Sequence, residues 1–316
     1  MKFLPKVLLL AALSILHPMF LEAQESSWLK LITKYEIFRQ QGLYLEALDP
    51  GTRGLEIAER TFGSEHPNVG RSLNSLAFIY HQLGRYDEAE LLYARALQIA
   101  KKAFGPDNIN VAISISNLAA NYTKQGKYTE AEILHKEALV LIEKILGSEH
   151  PYITACFHNL AALYEEQGKY ARAEVLYKRA LEIIENAFGE NHPELAPHLN
   201  SLALFYHVQG KHDKAEILIR QEIKIYERAF GRAYPYLTTC LVNLANVLVS
   251  QRKFSSALSC YRKSLFICEE AFGKVNENVA AILENMAECC KEIGEKDEAE
   301  MMNKRAKTIR SIQKSR

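Results

Sequence analysis

Three His-Pro steps beside acidic residues are the first candidates for chemistry: Glu65-His66-Pro67, Glu149-His150-Pro151, and His192-Pro193 preceded by Glu190 and Asn191. An imidazole next to a carboxylate can ligate a metal or move a proton. A second set, His81, His158 and His207, falls on first helices, with Glu165 and Glu166 in a neighbouring repeat, so that an acid/base pair would form across repeats. An acid/base pair would need one member of each kind within hydrogen-bond reach. No nucleophile motif, phosphate-gripping glycine loop or metal-ligand spacing accompanies them. The six cysteines (156, 240, 260, 268, 289 and 290) form no C-x-x-C pair and show no zinc-like spacing with His. Most stand where the surrounding pattern wants an apolar or small residue. They read as buried free thiols, and no disulfide pairing can be assigned.

The elements that carry these residues repeat. Phe62-Gly63, Phe104-Gly105, Leu146-Gly147, Phe188-Gly189, Phe230-Gly231 and Phe272-Gly273 follow one another at 42 residues without an insertion. Ala recurs at 77, 119, 161, 203, 245 and 287, and a second Ala column runs through 47, 89, 131, 173, 215, 257 and 299. Gly occupies 42, 84, 126, 168, 210 and 294, and Arg252 is the one departure. Each unit reads as two helices. Leu73, Leu76, Ala77 and Tyr80 make one apolar face at i, i+3, i+4, i+7, and Gly84 closes that helix. Ala89, Tyr93, Ala96, Leu97 and Ala100 make the stripe of the second helix. A hairpin cannot bury both stripes alone, so the units must stack.

Stacking disposes of the metal reading. Equivalent positions in neighbouring units are at least ~8–10 Å apart, and His66 and His150 are two units apart. Ligands must converge to about 2 Å from one ion. The His-Pro steps therefore read as helix starts, with Pro at the first helical position and acidic or Asn residues at the positive end of the dipole. The boundary at "RAYPYL" keeps Pro235 and loses the His, and the boundaries at 106–110 and 274–278 lose both.

The columns Leu76-Ala77…Tyr80 and Ala89…Tyr93…Ala96 resemble the tetratricopeptide repeat. Stretches such as "HPNVGRSLNSLAFIY" and "NLAALYEEQGKYARAEVLYKRALEI" are similar to its 42-residue kinesin-light-chain subtype. The resemblance covers about 25–312. It implies an all-α fold, a right-handed α-solenoid of stacked antiparallel helix pairs, with no cofactor and no catalysis. Expected boundaries are a leader at 1–23, an atypical helix pair at 24–61, six 42-residue units over 62–312 and a basic tail at 313–316. The first pair has Tyr35 and Phe38 in the Ala and Tyr columns and contains "ALDPGTRG", so a kink or restart is expected near Asp49, with Pro50 opening a fresh helix. In the last helix Asn303 and Lys307 replace Tyr and Leu, as a solvent-facing end requires.

The same resemblance implies that the first helices line a concave groove for extended peptides. The residue before each Leu-Ala pair is Ser75, Asn117, Asn159, Ser201, Asn243 or Asn285. Amides there would suit a peptide backbone, since each offers donor and acceptor. Arg71, Asn74, Phe78 and His81 form the adjoining stripe in the first full unit, with His158, Asn200 and His207 in later ones. Arg71 is the only basic residue at these sites in the first three full units, so the implied ligand is an internal or neutral segment rather than an acidic C-terminus.

Bulk composition adds exclusions. The 316 residues are 48% apolar and 24% charged with a formal net charge of +1, so nothing global draws the chain to nucleic acid or an anionic membrane. "KRAKTIRSIQKSR" (304–316) has six basic residues and no acid and reads as a solvated helix face. Lys2 and Lys6 precede the apolar run "VLLLAALSIL" (7–16), then Pro18 and Ala23. That run is shorter than the ~20 residues a bilayer span needs and fits a secretory signal cut after Ala23, giving an exported protein without a membrane span. The alternative is an uncleaved leader on an intracellular adaptor of kinesin-light-chain type. Asn121-Tyr122-Thr123 matches a glycosylation acceptor but lies in a helical pattern. Partner identity and oligomeric state are left open.

Overall fold

The computed structural model describes residues 24–314. The expected leader and the final two residues of the expected tail lie outside them. The described residues are all-α: α1 (24–40), then α2 (Tyr44–Phe62), α3 (Pro67–Gln82), α4 (Tyr86–Phe104), α5 (Ile109–Lys124), α6 (Tyr128–Leu146) and α7 (Thr154–Glu166). After these come α8 (Tyr170–Phe188), α9 (Ala196–Val208), α10 (His212–Phe230), α11 (Leu237–Ser250), α12 (Phe254–Phe272), α13 (Glu277–Glu292) and α14 (Lys296–Lys314). Short 3-10 turns at Pro151–Ile153 and Pro193–Leu195 lead into α7 and α9. Among the described residues no helix is long and apolar enough to cross a membrane.

The chain divides into two compact units, one ending at Tyr170 and one beginning at Ala171. Within each, successive helices pack on one another, and alternate helices touch as well: α3 with α5, α5 with α7, and α9 with α11. This is an all-α solenoid. The Ala columns explain the close approach: Ala77, Ala119, Ala161, Ala203, Ala245 and Ala287 are each 0% exposed. A methyl group is all that fits between the backbones.

Two local devices set the period. The Gly column closes each first helix with positive φ, for example 74° at Gly84, and Arg252 adopts the same left-handed conformation at 60°. The starts of five first helices are capped by a side chain, whereas α11, entered through Pro235, has no such cap. His66, His150 and His192 accept through Nδ1 from the backbone N–H two residues on, at 3.2, 3.1 and 3.2 Å. Where the His-Pro step is missing, Asn108 and Asn276 make the same bond through Oδ1, at 2.9 and 2.8 Å. The imidazole itself is thus the cap, a role the sequence pattern had left to its neighbours. His66 and His192 also stack on Phe62 and Phe188, with centroids 4.9 Å apart in both pairs.

Adjacent helix pairs are tied by a recurrent carboxylate. Glu90 accepts from Tyr122 Oη at 3.2 Å and Lys127 Nζ at 2.8 Å. In the second unit Glu174 accepts from Tyr206 Oη at 2.9 Å and Lys211 Nζ at 3.1 Å. These bonds, with Lys178 foremost, hold the Glu174 carboxyl down at about 2.

The first pair departs from expectation. α2 runs unbroken from Tyr44 to Phe62 with Pro50 inside it, so the restart expected near Asp49 does not occur. Asp49 pairs instead with Arg53 one turn on, at 3.6 Å. Ala47, Pro50, Gly51, Gly54 and Ala58 form one buried stripe. A Cβ on Gly51 would sit 3.4 Å from Leu76 Cδ1 and 3.7 Å from Tyr35 Cδ2. The close packing this stripe allows offsets the ~3 kcal/mol that an interior proline costs. α1 is pinned by Trp28, which is 3% exposed, donates from Nε1 to Ser72 Oγ at 2.9 Å and meets Phe62 edge-on at 5.5 Å.

At the other end α14 continues through Lys314. Its basic residues are partly committed: Arg310 grips Glu284 with two bonds of 2.7 Å, and Arg305 pairs with Glu269. All six cysteines are free, and all but Cys260 are fully buried.

Candidate functional site

In the first unit, α3 and α5 run side by side with α4 behind them, and a cleft of about 350 Å³ opens between the two. Arg71, Asn74 and Ser75 of α3 and Asn117 of α5 line it together, over Ala96, Ile99 and Ala100 of α4. The local sequence builds this arrangement. A Cβ at Gly70 would meet Ile99 Cγ2 at 3.3 Å, so glycine lets α3 settle onto α4. Tyr35 donates its hydroxyl to the Ser75 carbonyl at 2.8 Å, fixing that turn of α3 from behind. Asn74 Oδ1 is buried with no hydrogen-bond partner. Leaving a buried acceptor unpaired costs roughly 1–3 kcal/mol. Arg71 is exposed and is the only charged side chain in the lining.

Four of the expected groove residues therefore meet in one place. Others are diverted by their neighbours. Phe78 faces the Tyr44 ring edge-on at 6.3 Å and lies under the Arg39 guanidinium at 5.7 Å. His81 Nδ1 is 3.0 Å from Asn121 Oδ1. Because Asn121 Nδ2 donates to the Tyr86 carbonyl at 2.8 Å, its Oδ1 is the acceptor and His81 the donor. His81 is therefore a tie between helix pairs. Asn121, 0% exposed, is closed to glycosylation. His158 and Asn159 lie half-buried on α7, outside the cleft lined by Arg71 and Asn117. Glu166, the conceivable acid/base partner of His158, pairs with Lys124 at 2.8 Å.

In the second unit, Asn243 Nδ2 donates to Asn200 Oδ1 at 3.0 Å, so these two amides satisfy each other in part. Ser201 donates to the Pro197 carbonyl at 2.9 Å. His207 Nδ1 lies 3.2 Å from His212 Nδ1; burial, then the neighbouring imidazole, lowers its pKa. Asn285 lines a separate cleft of about 430 Å³ with Asn246, Tyr261, Glu288 and Glu292. What sequence reasoning missed is the apolar floor supplied by the second helix. Phe104 of the Phe-Gly column belongs to it and is 42% exposed.

One further juxtaposition was not suggested by spacing: Cys290, Glu295 and Glu298 bring ligand atoms within 4.8 Å of one another. Burial, then the nearby carboxylates, raises the Cys290 thiol to about 11.

The family model described as tetratricopeptide repeat matches in overlapping stretches, residues 36–102, 71–139, 110–186, 157–228, 194–269 and 236–311. No curated protein sequence matches the chain. Among solved structures, BtubC (BKLC) from P. vanneervenii is similar at 24% identity over 73% of this chain and 93% of its own, with a TM-score of 0.64. The nearly identical TPR-like repeats of a putative kinesin light chain from P. anserina align at 25% identity over 66% of this chain and 99% of theirs, TM-score 0.54. A Rap conjugation gene regulator solved in complex with a Phr peptide aligns at 14% identity over 88% of this chain and 72% of its own, TM-score 0.55.

Proposed function

The chain belongs to the tetratricopeptide-repeat family, and from that premise we propose that it is a non-enzymatic scaffold whose first-unit cleft binds an extended, uncharged peptide segment of a partner protein. The observation that carries this reading is the convergence of Asn74, Ser75 and Asn117 on one cleft. Each amide can answer a peptide group with both donor and acceptor. Ile99 and Ala100 offer apolar contact beneath. With Arg71 as the lone charge, nothing there clamps a terminal carboxylate. A chain of the same fold, the Rap regulator, has been solved with a peptide bound. The leader over 1–23 directs the scaffold out of the cytoplasm in this reading, and mass determination of the exported protein would then find Gln24 at its start.

The test is selection of peptides from a random library on the immobilised full chain, followed by affinity measurement. Asn74→Ala with Asn117→Ala is expected to weaken the selected peptides at least tenfold while leaving the helical circular dichroism intact. Unchanged affinity in the double variant would sink the cleft as the binding site.

A further inference from the structure

The second unit holds a different cavity, of about 800 Å³, between α10 and α12 with α11 as its floor. Leu237, Leu241 and Leu244 of α11 and Ile267 of α12 make an apolar base. One contribution to it is visible in the repeat register. Leu92, Leu134, Leu176 and Leu218 occupy the equivalent place in α4, α6, α8 and α10, and Cys260 stands there in α12. The shorter, unbranched side chain leaves the space a leucine would fill. Phe266, 65% exposed, stands at the mouth.

The rim is cationic. Arg220, Lys224, Arg232, Arg262 and Lys263 line it against a single acid, Glu227. Arg220 and Arg262 pair with Glu216 and Glu298, at 2.8 and 3.2 Å. Lys224, Arg232 and Lys263 pair with no carboxylate among the described residues. Such a lining of carbon and cations fits an anion with an apolar tail, and its volume is that of a small-molecule site. It fits a peptide poorly. Glu227 is the only strong acceptor side chain in the lining, so a buried peptide would leave its N–H donors unpaired. A fatty carboxylate has no donor to satisfy.

We propose that this cavity binds a long-chain carboxylate, with its tail over Leu241, Leu244 and Ile267 beside Cys260 and its head held by the Lys224, Arg232 and Lys263 rim. The site is independent of the peptide cleft and uses none of its residues.

Laurate, below its micelle concentration, is the probe, titrated calorimetrically into the full chain. One saturable site per chain is expected. Cys260→Leu restores the residue of α4, α6, α8 and α10, so it should fold at least as well and weaken laurate at least tenfold. Lys224→Gln with Lys263→Gln should weaken it about fivefold and reduce its dependence on salt. Asn74→Ala with Asn117→Ala should leave laurate binding unchanged, which separates this site from the peptide cleft. The proposal is overturned if laurate does not saturate the wild-type chain. It is overturned equally if Cys260→Leu binds laurate as the wild type does, or if a glutamate-rich amphipathic peptide occupies the cavity and laurate does not displace it.

Discussion

Cys240 donates its thiol to Glu222 Oε1 at 3.2 Å, while the other carboxyl oxygen, Oε2, is buried with no partner. Glu222 is 4% exposed and stands in a column that reads Ala at 96, 138, 180 and 306. Desolvation dominates, and the group is pushed up to about 7 from its ordinary 4.5. The folded chain therefore holds a proton that the unfolded chain releases between those pH values. The contribution of Glu222 to stability is expected to fall as pH rises from 4.5 to 7, by roughly 3 kcal/mol in full. Glu222→Gln should match the wild type near pH 4.5 and exceed it at pH 8 in urea unfolding followed by circular dichroism. A difference that does not vary with pH would refute the assignment.

His135 gives the first unit the opposite slope. It is 2% exposed on α6, 3.5 Å from Thr123 Oγ1, and burial drives its pKa down to about 4 from 6.5. Here the unfolded chain takes up the proton first, so stability is lost as pH falls from 6.5 toward 4, again by roughly 3 kcal/mol. Tyr occupies this column at 93, 177 and 261. His135→Tyr should remove this contribution, seen as a Tm gain over the wild type that is larger at pH 4.5 than at pH 7.

Arg252 occupies a left-handed conformation, φ 60°, that glycine holds at the equivalent turns. Such a conformation costs a side-chain-bearing residue roughly 1–2 kcal/mol, partly offset in glycine by its greater unfolded-state entropy. Arg252→Gly is expected to stabilise by up to about 1 kcal/mol and Gly84→Ala to destabilise by about as much. Thermal unfolding of both variants, with shifts of opposite sign, is the check.

The caps make a differential prediction. Asn already does the work of His at 108 and 276, so His150→Asn should be nearly neutral, whereas His150→Ala should cost about 1 kcal/mol. His66 also stacks on Phe62, and His66→Asn should lose a further ~0.5–1.5 kcal/mol for the ring pair. Equal effects at the two sites would show that the stacking contributes nothing.

The period, the helix pairs and the Ala and Gly columns were legible because backbone approach and left-handed closure admit few residue types. The cap role of the histidines was half legible: the boundary was plain, but which atom satisfied the N–H was not. "ALDPGTRG" misled because Pro50 and the glycines resemble a break, while in three dimensions they are one buried stripe. Of the groove that the resemblance implied, Arg71, Asn74, Ser75 and Asn117 line one cleft. Phe78, His81 and His207 do not, because Arg39, Asn121 and His212 hold them, and such cross-helix partners leave no trace in a column.

Trp28 is the sole tryptophan of the chain, and its indole is locked to Ser72 and Phe62 where α1 meets its neighbours. Its fluorescence is thus a private reporter of one end of the array, while circular dichroism averages over all the helices. In a molecule held by nearest-neighbour contacts, the two signals need not coincide on unfolding. If emission shifts at a lower urea concentration than ellipticity falls, the interval between the midpoints measures how far the array frays from that end before it yields.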